Sequence, residues 1–235
     1  MARVLVTRPE PAASRTAELL RRHGHEPVVA PLFEPFDLDV TDWPEPEGLG
    51  ALAVTSARAI AAMETRPIWP RLAGLPVFAV GPACGAAAQA AGCSRVTVAG
   101  GTMDTLAETI TMARPARPVL YLAGRHRSGD LCAALARSGI GCMMREVYAM
   151  ERAGDPPARV REALTSGALR HVLVYSRRGG QALADVLGRF DRPPPPLRIY
   201  ALSENAGAPL RPFGALAVAE NPSEAALIAL FDAAC

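Results

Sequence analysis

Repeatedly along the chain, a short apolar run stops at a small or polar turn and then gives way to residues with helical spacing. VLVTRPEPAASRTAELL, ALAVTSARAIAAM, VFAVGPACGAAAQAA, VLYLAGRHRSGDLCAAL, VLVYSRRGGQALADVL, RIYALSENAGAPL and LAVAENPSEAALIALF all follow this pattern. Unbroken apolar runs suit strands buried on both faces, and helices between them imply right-handed crossovers in a parallel sheet. The pattern predicts one set of strands near residues 4–7, 27–30, 172–176, 198–202 and 216–219. A second set is predicted near 51–55, 77–80, 95–98, 119–122 and 142–148.

Two segments break the rhythm. EPFDLDVTDWPEPEG, residues 34–48, is acidic and proline-rich, and EVYAMERAGDPPA, residues 146–158, runs from a strand-like stretch into Gly154 and Pro156–Pro157. Two adjacent domains need one linker. Two linkers around a block with its own strand–helix units predict one domain inserted in another. The expected division is 1–35 with 151–235 for the first domain and 36–150 for the second. VVAPLFEPFDL and CMMREVYAMER then cross between them in opposite directions, as a two-stranded antiparallel hinge. The expected fold is α/β, two flavodoxin-like domains with parallel sheets. The run Pro193–Pro196 lacks donors and is kept out of the sheets as a stiff connection.

Composition sharpens this picture in two places. Of 235 residues, 50% are hydrophobic and only 5% aromatic, so alanine and leucine fill the cores. The net charge of +2, with no basic run interleaved with aromatics, argues against a nucleic-acid partner. Five cysteines without a C-x-x-C pair are expected as free thiols in a reducing compartment. The N-terminus enters VLVTRPEP without a signal-like apolar stretch, and GPACGAAAQAAGC is too broken by glycine to span a bilayer. A soluble, cytoplasmic protein with no membrane association is expected.

In open α/β sheets ligands bind beyond the carboxyl ends of the strands, and the turns that end these strands carry Thr7, Thr55, Ser56, Gly81, Gly124, Ser176, Ser203 and Asn205. Helix N-termini there hold anions without a basic patch. More specific chemistry is missing. The chain has no G-x-x-x-x-G-K-[ST] loop and no G-x-S-x-G elbow, and Gly48 and Gly50 stand on the wrong side of their strand for a dinucleotide fingerprint. His23, His25, His126 and His171 form no metal-binding pair on a helix face, and His23 and His25 read as exposed helix-end residues. Cys84, at a helix start, reads as a small buried residue rather than an activated thiol.

Taken in order, VLVTRPEPAASRTAELL, PVVAPLFEP, AVTSARAI, FAVGPACGAAA, VYAMER, YSRRGGQAL, YALSENAGAPL and AENPSEAALIAL resemble the uroporphyrinogen-III synthase family along nearly the whole chain. The resemblance implies a cofactor-free hydro-lyase, without metal, that closes hydroxymethylbilane into uroporphyrinogen III with inversion of the last pyrrole ring and loss of water. It also implies transient contact with hydroxymethylbilane synthase, the source of that substrate. Two turns depart from the commoner pattern: YLAGRHRSGDL stands for R-G-E-x-G-R, and ALSENAG for G-P-T-T.

By this resemblance Tyr148, on the return crossing, faces the cleft and serves the departing hydroxyl or a ring carboxylate; the alternative is an aromatic on a hinge strand. Thr55, Ser56, Ser176, Arg177, Ser203, Glu204, Asn205 and Ser223 are expected to bind carboxylates, to cap their helices, or both. The N–H of Ala206 is expected as a carboxylate donor. Arg8 either clamps a propionate or pairs with a neighbour such as Glu10. The competing class is a non-catalytic two-domain protein that binds small anions, since solute binders share the layout.

Overall fold

The computed structural model describes residues 1–127 and 129–235. In chain order its elements begin with β1 (Arg3–Val6), α1 (Ala12–Arg22), β2 (Glu26–Val29) and β3 (Phe33–Asp37). They continue through β4 (Ala51–Val54), α2 (Ala57–Glu64), α3 (Trp69–Leu72), β5 (Val77–Ala79), α4 (Pro82–Ala90), β6 (Val96–Val98) and α5 (Met103–Ala113). Next come β7 (Val119–Gly124), α6 (Leu131–Ala136), β8 (Cys142–Arg152), α7 (Ala158–Thr165) and β9 (His171–Val174). The chain closes with α8 (Arg177–Gly188), β10 (Leu197–Ala201), α9 (Glu204–Gly207), β11 (Gly214–Val218) and α10 (Glu224–Asp232).

Contacts divide the chain into two units, Met1–Glu34 with Glu151–Cys235, and Pro35–Met150. The first holds a parallel sheet in the order β11-β10-β9-β1-β2. That is the flavodoxin-like order, with the chain reversing its direction of travel between β1 and β9. Val4, Val6, Leu173 and Tyr200 are buried in it against Leu20, Leu227 and Phe231 of the flanking helices. In the second unit the order is β3-β8-β7-β4-β5-β6. The strands from β8 to β6 are parallel, and β4 lies in the middle between β7 and β5. Leu52, Val54, Ile60 and Met63 fill one face, and Phe78, Leu106, Ile110 and Tyr121 the other.

Five strands were expected in the second sheet, and β3 makes a sixth at its edge. Pro35 lacks an N–H and Phe36 is 55% exposed, both tolerable only on an edge strand. Leu38 N–H donates to the Val147 carbonyl (3.0 Å) and Ala153 N–H to that of Leu32 (3.1 Å). The paired positions advance in opposite directions along the two segments, so the crossing strands are antiparallel.

Two sequence expectations are corrected here. Cys132 and Cys142 are joined as a disulfide, with Cα atoms 5.1 Å apart, and only Cys84, Cys93 and Cys235 are free. The short turn between α6 and β8 folds the helix back over the start of the strand, a meeting that spacing alone does not reveal. His25 is not an exposed helix-end residue: its side chain is 7% accessible, and its ring lies 4.6 Å from that of Phe231. His25 Nε2 and His23 Nδ1 hold the two oxygens of Asp232 at 2.9 and 2.7 Å, tying the end of α10 to the end of α1. Among the described residues no helix is long and apolar enough to cross a membrane.

Candidate functional site

In the second unit the carboxyl ends of β4 and β7 converge with the middle of β8. Thr55, Ser56, Gly124 and Tyr148 line a cleft of about 490 Å³ there, together with Val80, Gly101, Thr102, Met103, His126 and Arg127. Each turn forms for a local reason. Ser56 is extended and caps α2, its Oγ accepting from Arg58 N–H at 3.1 Å. Thr102 caps α5 through a reciprocal pair with Thr105. Gly81 caps α4 ahead of Pro82 and is buried behind this wall rather than lining it.

Tyr148 is set by backbone and by shape. The ladder between β7 and β8 slips between Ala123 and Gly124, bringing Gly124 opposite Tyr148. Arg125 N–H donates to the Tyr148 carbonyl at 2.9 Å. The phenol ring lies directly on Gly124, where a Cβ would come within 2.6 Å of Cζ and 2.8 Å of the hydroxyl oxygen. Glycine is therefore required at 124 by close approach, not by backbone conformation.

Two further residues, Tyr121 and Glu146, organise the cleft and escaped sequence reading. Tyr121, 1% exposed, shares a 2.9 Å hydrogen bond with Thr55 Oγ1. Burial pushes the Tyr121 phenol up, so it stays neutral and fixes the threonine hydroxyl. Glu146 accepts from Arg127 Nη1 at 2.7 Å and from Arg125 Nε at 3.4 Å, which holds Arg127 at the cleft wall. The first signal, a tyrosine inside the apolar run VLYLAG, is ordinary for a strand. Cys84, also behind this wall, is buried and its thiol is pushed up by burial, as its structural reading requires.

In the first unit the predicted residues sit on the turns after β1, β9, β10 and β11. Thr7 is buried, and its carbonyl accepts from Leu32 N–H. Ser176 caps α8 through Gly179 N–H (3.1 Å), and Ser203 caps α9 through Ala206 N–H (3.3 Å). Ser223 caps α10 through Ala226 N–H (3.2 Å), while its hydroxyl donates to Asn221 Oδ1. Gly180 lets α8 press on α9, since a Cβ there would lie 2.3 Å from the Ala206 carbonyl oxygen. Across that contact Arg177 Nη1 donates to Asn205 Oδ1 at 2.9 Å, so these two are brought together. Glu204 pairs with Arg211.

Two expectations for this unit change. Ala206 is 1% exposed and its N–H is taken by Ser203, so the amides left at this turn belong to Glu204 and Asn205. Arg8 pairs with Glu224 (2.7 Å), not with Glu10, whose carboxylate accepts from Ser14 N–H instead. Thr16 and Tyr175 join Glu224 at Arg8 and were likewise missed, because nothing local marks a partner so distant in sequence. Among the described residues no three His, Cys, Asp or Glu side chains converge as a metal ion would need.

Comparisons with known proteins bear on the fold and on the family. A crystal structure of uroporphyrinogen-III synthetase from Helicobacter pylori superposes with a TM-score of 0.65 at 16% identity, over 100% of this chain and 99% of that one. A mutant uroporphyrinogen III synthase from Thermus thermophilus gives 0.52 at 17% identity, over 100% and 98%. At such identities the likeness establishes the fold alone. No curated protein sequence matches the chain. The family assignment rests on the sequence itself: the model of the family described as uroporphyrinogen-III synthase HemD matches residues 14–229. That match contains every turn and strand described at both sheets except β1 and its Thr7–Arg8 turn, and the chain belongs to the uroporphyrinogen-III synthase family.

Proposed function

We propose that the turn amides and Tyr148 carry, in this chain, the closure of hydroxymethylbilane to uroporphyrinogen III. The observation that supports this most is the cleft at Thr55, Ser56, Thr102, Gly124, Arg127 and Tyr148, where helix-start amides, a cation and a phenol face one space. Amides at helix starts suit a polycarboxylate, because each holds an anion without adding formal charge. Two such starts in this unit, α2 and α5, border the cleft, and α8, α9 and α10 offer others in the first unit.

The chemistry asks little of the side chains. The C–O bond of the hydroxymethyl group breaks and the oxygen leaves as water, taking its proton from the Tyr148 phenol; an azafulvene cation remains. Attack by the substituted carbon of the last ring gives a spiro-pyrrolenine. Fragmentation and reclosure then invert that ring, and loss of a carbon-bound proton restores aromaticity and reprotonates the phenolate. The cation closes by itself to the uninverted product, so the protein must hold the chain for the slower route and keep water away. The same reactivity favours direct transfer from hydroxymethylbilane synthase over diffusion. Positioned proton donors contribute about 10²–10⁴-fold, which is the scale expected of Tyr148.

Purified protein dialysed against a chelator should convert hydroxymethylbilane to the III isomer, at a rate that added metal or nucleotide does not change. Recovery of the spontaneous I isomer alone would leave the chain a non-catalytic anion binder.

A further inference from the structure

We infer that Glu224, with Thr16 and Tyr175, is a positioning residue for Arg8, turning the guanidinium so that its free edge takes one carboxylate of the substrate. The inference rests on the proposed reaction. Arg8 follows Thr7 at the carboxyl end of β1, Tyr175 follows β9, and Glu224 is the first residue of α10. A single carboxylate oxygen, Glu224 Oε1, accepts from Arg8 Nη1 (2.7 Å), Thr16 Oγ1 (2.6 Å) and Tyr175 Oη (3.0 Å). Arg8 Nη1 also donates to Thr16 Oγ1 at 3.0 Å, and its guanidinium stacks 4.0 Å above the centre of the Tyr175 ring. An ion pair, a hydroxyl and an aromatic face thus fix the plane and the rotation of one side chain.

The geometry is unlike that of a simple latch. Arginine and a carboxylate that serve only each other usually meet by two parallel bonds, fork to fork. Here one nitrogen meets one oxygen. The paired donors on Nε and Nη2 stay unused by this cluster, and they match a planar carboxylate. The Arg8 side chain is 25% exposed, so one edge reaches solvent. Glu224 does not repel an incoming anion strongly: three donors share its inner oxygen, and it sits in the first turn of α10, where negative charge is favoured. The Tyr175 phenol, raised to about 12 mainly by burial, remains a donor across the working pH range.

The test separates KM from kcat with hydroxymethylbilane as substrate and follows melting temperature alongside. Glu224→Gln keeps the shape and loses the charge, and it should raise KM roughly 10-fold with kcat within about 2-fold. Arg8→Lys keeps the charge and loses the fork, and it should raise KM on the order of 10- to 100-fold. The double variant should be no worse than Arg8→Lys alone, because both act on one contact. If Glu224→Gln does not fold, Tyr175→Phe, which leaves the ring under the guanidinium, should raise KM roughly 3-fold. A lowered melting temperature with unmoved KM, or losses that multiply in the double variant, would overturn the inference. Wild-type protein in the same assay keeps the two readings apart. No III isomer from wild type removes the proposed function and this inference together, whereas normal wild-type turnover with unmoved KM in the variants removes only this one.

Discussion

Gly124→Ala is the smallest change that reaches the proposed proton donor without touching it. A Cβ at this position would stand 2.6 Å from Tyr148 Cζ, 2.8 Å from its oxygen and 3.0 Å from Cε1. Non-bonded carbons settle at about 3.5–4.0 Å, so the ring must move by about 1 Å. Tyr148 is half-buried with one side on the cleft, so it has room to swing. The cost to stability should therefore fall at the low end of the ~1–3 kcal/mol typical of overpacking, a few degrees in melting temperature. Activity should suffer more. A displacement of ~1 Å in a positioned group costs up to about 100-fold, or roughly 2.7 kcal/mol of barrier. The assay is the initial rate of III-isomer formation, in wild-type and Tyr148→Phe backgrounds, with circular dichroism to confirm the fold. In the Phe background the phenol is already gone, and Gly124→Ala should add little. A folded Gly124→Ala protein with the wild-type rate, or one that loses the same factor in both backgrounds, would refute the placement of Tyr148 at the chemistry.

In unreduced, denatured protein three cysteines should react with a thiol reagent and all five after reduction; five before reduction would show Cys132 and Cys142 unpaired. At alkaline pH the sign follows from Tyr175, whose folded value is raised from 10.0 to about 12. Its contribution is fully present below pH ~10 and fades between ~10 and ~12 as only the unfolded chain ionises, a loss of roughly 2–3 kcal/mol. Tyr175→Phe should flatten that part of the stability curve measured by urea unfolding, and an unchanged slope would contradict the buried, protonated phenol.

Much of the architecture was written locally and could be read. A buried parallel strand needs only its own apolar run, and a cap reaches two or three residues ahead, as Ser56 does to Arg58 and Ser176 to Gly179. The turns at Thr55, Ser56 and Gly124 were legible on those grounds. What they meet was not. Arg8 had an acidic neighbour at Glu10, yet Glu10 is drawn to the first turn of α1, and the guanidinium finds Glu224 across the sheet. Thr55 meets Tyr121 on the neighbouring strand and His25 meets Asp232 at the end of a helix, pairings between residues far apart in sequence. The placement of β4 in the middle of its sheet is likewise a matter of pairing that no single run encodes.

On the proposed function the turns and the arginines hold anions in different ways. The hydroxyls of Ser56, Ser176, Ser203 and Ser223 each accept from an amide in the first turn of their own helix. Each hydroxyl thereby satisfies one of the amides that a helix start leaves without an intrahelical partner, and the remaining ones are, on the proposed function, what a carboxylate meets. Losing such a cap costs about 1 kcal/mol of local order while removing no amide. Arg8 and Arg127 differ in that each is held by a carboxylate, Glu224 or Glu146, and on the proposed function it is the guanidinium that meets substrate. Recognition by amides, as proposed, would tolerate sequence change as long as the turn persists, and ALSENAG, in place of the commoner G-P-T-T, still starts a helix capped by Ser203. Recognition by a held arginine tolerates far less, because the holding carboxylate, the arginine and the ring beneath it must change together.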